Sequence, residues 1–169
     1  MTDLDFYARA VVDGTVMGLG QDSLPEDWED RLGVNYVDDV RKGLMRRDFG
    51  LVEVSFQRVR GIWRCFGVGI QVHRLDRGVE AVVPAPVRAE FGEFGSPVGF
   101  AGVDAAVARM GGRLESANDG GSTYHDQFLS ASTNARVHVV AQVDDPGVGG
   151  TSVGDVWSIH LSWRKNQDS

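Results

Sequence analysis

The side chains best suited to proton transfer or ligation in this chain are its four histidines, His73, His125, His138 and His160, and its one thiol, Cys65. Imidazole titrates near neutrality and is the commonest metal ligand, so His73, His138 and His160 gathered together could hold a transition metal. Their positions follow no ligand spacing, and His138 and His160 read more simply as a hydrogen-bonded pair on neighbouring strands. We therefore assign no metal and no cofactor. A single cysteine excludes an internal disulfide and a zinc site built on thiolates. In Tyr124-His125-Asp126 an acid follows a histidine, but successive strand residues point to opposite faces and cannot pair catalytically. The chain has no Gly-x-Ser-x-Gly elbow, phosphate-binding glycine loop or His-Glu-x-x-His helix. No catalytic residue is assigned, and the chain is expected not to be an enzyme.

These residues must be positioned by strands. Over Arg46–Leu75, Val52, Val54 and Phe56 alternate with Glu53, Ser55 and Gln57. After a turn at Arg60-Gly61, Phe66, Val68, Ile70 and Val72 alternate with Gly67, Gly69, Gln71 and His73. Period-2 alternation of this kind predicts a hairpin buried on one face and wet on the other. Strict alternation puts Trp63 and Cys65 on the wet face. Three more strands are expected over Thr123–Ser130, Arg136–Val143 and Val156–Trp163, with Val137, Val139, Ala141, Val143, Trp157, Ile159, Leu161 and Trp163 inward. A short edge strand is read in Tyr36–Met45, and a loop over Asp144–Ser152.

Helical spacing predicts a helix over Asp3–Val12 burying Leu4, Ala8, Val11 and Val12, ended by Asp13-Gly14. Ser23-Leu24-Pro25-Glu26 reads as a helix start with Ser23 as the cap, burying Trp28 and Leu32 before Gly33. Pro84-Ala85-Pro86 marks a junction, Phe91, Phe94 and Phe100 an irregular or poorly formed helix, and Val103–Met110 a helix ended by Gly111-Gly112. Fifteen positions separate Gly33 from Asp48, and fifteen separate Gly111 from Asp126. Matched spacing and element order predict an α+β protein of two tandem pseudo-repeated units, 1–83 and 87–169, each with short helices on one face of an antiparallel sheet, or one continuous domain combining them. Asp48 and Asp126 read as turn or capping acids.

Two such copies, with short helices closed by Leu32-Gly33 and Met110-Gly111 and then sheets, resemble the architecture of the β-lactamase inhibitor protein. That resemblance implies a pair of sheets gripping a partner protein. The absence of a cysteine pair departs from the secreted inhibitor and argues against β-lactamase itself as the partner. Arg46-Arg47-Asp48-Phe49-Gly50-Leu51-Val52-Glu53 also resembles the strand opening of small actinobacterial immunity-type proteins.

At 169 residues, with 42% hydrophobic and 24% charged side chains, the chain can build a good core. Its net charge of −7 opposes nucleic-acid binding and suits simple solubility ahead of a basic partner. Met-Thr-Asp-Leu-Asp-Phe lacks the cationic and apolar runs of a signal peptide, so no membrane association is expected, and the unpaired thiol suits the cytoplasm. Arg41, Lys42, Arg46 and Arg47, among Asp38, Asp39 and Asp48, read as a compensated surface edge that discourages strand addition.

The expected function is an inhibitor or immunity-type module holding a partner on Glu53, Ser55, Gln57, Trp63, Gln71, His73, His138, Gln142, Ser158 and His160, with Ser162 beside them. The alternative is a ligand carrier or enzyme using a pocket between the units and a strand histidine. A homodimer covering its own open sheets would use the same residues.

Overall fold

The computed structural model describes residues 1–117, 122–145 and 150–163. It is an α+β structure built on one antiparallel sheet of eight strands, in the order β1-β2-β3-β4-β8-β7-β6-β5. In the first half α1 (Asp3–Asp13) and α2 (Pro25–Leu32) precede β1 (Val37–Arg41), β2 (Leu44–Asp48), β3 (Val52–Val59) and β4 (Ile62–Ile70). A 3-10 turn (Val72–Arg77) and α3 (Val79–Val82) lead to α4 (Ala85–Phe91) and α5 (Phe100–Arg109). Then come β5 (Leu114–Ser116), β6 (His125–Ser130), β7 (Ala135–Val140) and β8 (Val156–Ser162). The last strands of the two halves pair with each other, so Val68 lies opposite Leu161 and Ile70 opposite Ile159. Two four-stranded meanders thus share one seam.

Helix starts follow reciprocal capping. Thr2 N–H donates to the Asp5 carboxylate at 2.7 Å, and the left-handed Gly14 (φ 66°) ends α1 with its N–H on Ala10 C=O. In α2 the register is one residue later than the Ser23/Glu26 reading. Leu24 is the cap and its N–H donates to Asp27 Oδ2 at 2.8 Å, while Ser23 Oγ donates to Gly20 C=O and accepts from Trp28 Nε1. Pro84-Ala85-Pro86 opens α4, because proline fits a helix start where no donor is needed. α5 begins at Phe100 rather than Val103 and buries Val103, Ala106 and Val107, leaving Met110 only partly covered.

The core lies between the helices and one sheet face. Val52, Val54, Phe56, Val68, Ile70, Val137, Ile159 and Leu161 are fully or nearly fully buried there, against Phe6, Tyr7, Val11, Trp28, Val103 and Val107. Phe6 and Tyr7, rather than Leu4 and Val12, carry the centre of α1, with Phe6 edge-on to Phe91 and Phe94.

Several strand expectations are corrected. Tyr36–Met45 is not one edge strand but β1 and the start of β2, separated by Lys42-Gly43, both at positive φ. Arg47 is buried rather than on a surface edge, with Nε and Nη2 on Asp38 at 2.8 and 3.0 Å and its guanidinium 3.8 Å from the Tyr36 ring centroid. A bulge pairs Ser55 with Gly67 and Phe56 with Cys65, leaving Phe66 extra. Parity reverses there, because one added residue moves every preceding side chain to the other face. Cys65 is consequently in the core, and Trp63 packs against the core instead of standing on the open face. A second bulge pairs Val139 with Val156 and His138 with Ser158, so Trp157 leaves the inward set. The backbone curls into the 3-10 turn at Val72, taking His73 out of a strand. β7 ends at Val140, placing Gln142 in the loop beyond it, and the short edge strand β5 had no sequence expectation. Part of the Asp144–Ser152 loop, 146–149, lies outside the described residues.

Candidate functional site on the open sheet face

Alternation along β3, β4, β7 and β8 carries polar side chains onto the face opposite the helices. One row crosses the seam: Glu53 pairs with Gly69, Gly69 with His160, and His160 with Arg136. Gly67 and Gly69 leave β4 without side chains in the middle of this face. A Cβ added at Gly69 would stand 2.9 Å from Gln71 Nε2 and 3.2 Å from His160 Nδ1, so the missing side chain is the space those two groups occupy.

All four histidines gather around this strip. His138 and His160 are edge to face with ring centroids 5.3 Å apart, and His160 Nε2 is 3.0 Å from Ser158 Oγ. His73 lies on Trp157 with centroids 4.3 Å apart, and its Nδ1 is 3.2 Å from the Trp157 carbonyl oxygen, so Nδ1 carries the donated proton. His125 touches the same indole at 5.3 Å. Trp157, released by the second bulge, is therefore the aromatic centre of the face. Its signal in the sequence was present but assigned to the core by simple alternation.

A charged network backs the row. Arg74 donates to Asp48 at 3.0 Å, to Gly50 C=O at 2.8 Å and to Glu53 Oε1 at 3.2 Å, while Gln71 Nε2 donates to Glu53 Oε2 at 2.9 Å. Asp48 also accepts Gly50 N–H at 2.8 Å, which makes it a turn acid. Arg136 Nη1 donates to Gln127 Oε1 at 2.6 Å.

Desolvation shapes the titration of the cluster. Burial, then the neighbouring His160, His125 and Arg136, pull His138 down to about 4. Burial also lowers His160 and His73; the Glu53 charge opposes it at His160, and the Trp157 carbonyl opposes it at His73. These three rings are held neutral, so at neutral pH they act as hydrogen-bonding and stacking groups. Burial raises the Cys65 thiol to about 11, leaving it unreactive.

Of the residues read from the sequence, Glu53, Ser55, Gln57, Gln71, His73, His138, Ser158 and His160 share this side of the sheet, whereas Trp63 and Gln142 do not belong to it. Sequence reasoning missed Trp157, Arg74 and Gln127, while Arg136 stands on the outward face that alternation gives it beside His138. Ser158 and His160 make a hydroxyl–imidazole pair, but Ser158 is only 3% exposed, which suits a structural bond rather than attack on a substrate. Among the described residues, no group of three or more His, Cys, Asp or Glu side chains is arranged to hold a metal ion. Beside His160 an open cleft of about 720 Å³ is lined by Arg136, Ser162, Thr133, Asn134, Gln21 and Trp163, among others. No helix among the described residues is long and apolar enough to cross a membrane. No protein-family model, no curated protein and no solved structure matches this chain.

Proposed function

We propose that this chain is a non-enzymatic protein-binding module, of inhibitor or immunity type, that engages a partner protein on the open face of its sheet. The observation that carries the reading is the seam. With the helices on the other face, the Glu53–Gln71–Arg74 network, the His138–His160 pair and the His73–Trp157 stack are already ordered beside a strip of glycine backbone. Ordered side chains lose little entropy on binding, and an indole flanked by hydrogen-bonding groups is the usual energetic centre of an interface. The resemblance in element order to the β-lactamase inhibitor architecture supports the same use of the sheet. The net charge of −7 would speed encounter with a basic partner, and the single buried thiol fits a cytoplasmic setting.

The test is affinity capture from native lysate with the wild-type chain and a Trp157→Ala/His160→Ala variant of verified fold. A partner retained by the wild type and lost by the variant supports the reading; equal retention by both refutes it. A second reading, binding of a small polar ligand, is favoured by the cleft beside His160 and Arg136. Arg136→Gln would then abolish ligand binding without affecting partner capture.

A further inference from the structure

The free edge of the sheet at β1 has a different character from the open face. Every residue of Val37–Arg41 is exposed, with Val37 at 73% and Val40 at 57%, and Leu44 of the adjoining strand at 51%. The edge has no proline and no bulge, two of the usual devices that stop an edge from pairing, charge being a third. What it has is charge, and the arrangement of that charge is antisymmetric. Asp38 and Asp39 precede Val40, and Arg41 and Lys42 follow it. Most strands laid along this edge would meet a mismatch. An antiparallel copy of the same strand centred on Val40 meets none, because Val40 faces Val40 and Asp39 faces Arg41 on either side of it, while Lys42 lies in the turn that follows, at φ 45°.

We propose that β1 is a self-association edge, through which two copies join antiparallel about a two-fold axis at Val40 to form one continuous sixteen-stranded sheet. The Asp39–Arg41 pair, repeated by the symmetry, carries the specificity. Among the described residues Arg41 pairs only with Asp39, and Asp39 only with Arg41 and Arg46, all on the surface, with the Arg41 side chain 82% exposed and free to turn to a partner. Asp38 is held by Arg47 and contributes less. The contact is isologous and therefore closes at two copies. Both open faces remain free, so this association is independent of partner binding there.

Single charge reversals discriminate this register. Asp39→Arg makes positions 39 and 41 both basic and Arg41→Asp makes them both acidic, and in each case two attractive cross-strand pairs become repulsive. Sedimentation equilibrium should show a wild-type dimer, a dissociation constant raised at least about tenfold in either variant alone, and recovery of a heterodimer when the two are mixed. Val40→Cys should cross-link to a covalent dimer on oxidation, while Val37→Cys, which lies beyond the paired residues, should not; the buried Cys65 stays silent. Circular dichroism establishes that each variant is folded, as expected for exposed positions. A monomeric wild type overturns the proposal, and so does a dimer that both single reversals leave intact. Mixing that restores no association also overturns it.

Discussion

The imidazole of His73 lies flat on the indole of Trp157, 4.3 Å between centroids and within 5° of parallel. The two residues are far apart in the chain and meet only because the 3-10 turn after β4 is packed on β8. The stack is the one aromatic contact joining the two halves on the open side of the seam among the described residues.

Trp157→Ala removes this stack and the contact with His125, and is expected to cost about 1–2 kcal/mol, given that aromatic pairs contribute about 0.5–1.5 kcal/mol beyond area burial. Trp157→Phe should retain most of that stability. Urea unfolding midpoints at constant slope check it; identical midpoints for Trp, Phe and Ala would show that the stack is incidental.

Stability should fall as the solution is acidified through the histidine range. His138 is lowered in the fold from 6.5 to about 4, so between those values the unfolded chain binds the proton more readily than the folded chain. The contribution is complete above about pH 6.5 and is lost as pH falls toward 4; His73 and His160, also lowered, act in the same sense. His138→Gln should flatten the urea midpoint between pH 7 and pH 5. A midpoint with unchanged pH dependence would contradict the depressed titration.

Glu53 joins three features of the face, accepting from Arg74 and Gln71 and opposing the depression of His160. Glu53→Gln should destabilise the chain by roughly 1–3 kcal/mol, the usual cost of breaking a charged hydrogen bond in a shielded place. It should also lower the His160 titration further, read from imidazole proton shifts by NMR. An upward movement of that titration would mean that Glu53 does not act on His160.

Gly50 is at φ 96° with its backbone against the Val82 carbonyl, so that a Cβ would clash with that oxygen. The Leu51 N–H donates to the same carbonyl at 2.8 Å. Gly50→Ala therefore combines left-handed strain with a backbone clash and should cost about 3 kcal/mol or more, against about 1 kcal/mol for Gly61→Ala, where φ is 82° and nothing lies within 4 Å. Thermal denaturation of the two variants gives the comparison, and similar losses would show that the Gly50–Val82 approach is not tight.

Much of the framework was legible because it rests on local chemistry. Gly14 and Gly33 ended the helices they were expected to end, Trp28 and Leu32 shared one buried face, and Val52, Val54 and Phe56 pointed inward, each following from spacing and backbone freedom over a few residues. The open-face rows of β3, with Glu53, Ser55 and Gln57, and the His138–His160 neighbourhood followed from the same period. What the tertiary structure alone decided was parity and convergence. A bulge costs one residue and has no fixed residue signature, so nothing local announced that Phe66 and Trp157 would be the extra residues; their insertion buried Cys65, drew Trp63 to the core side and released Trp157. Nor could spacing show that β4 would pair with β8. That non-local hydrogen bonding brings His73 and Glu53 from one half beside His125, His138 and His160 from the other, because a sheet is completed by partners distant in the chain whereas helices and turns are specified by residues close at hand.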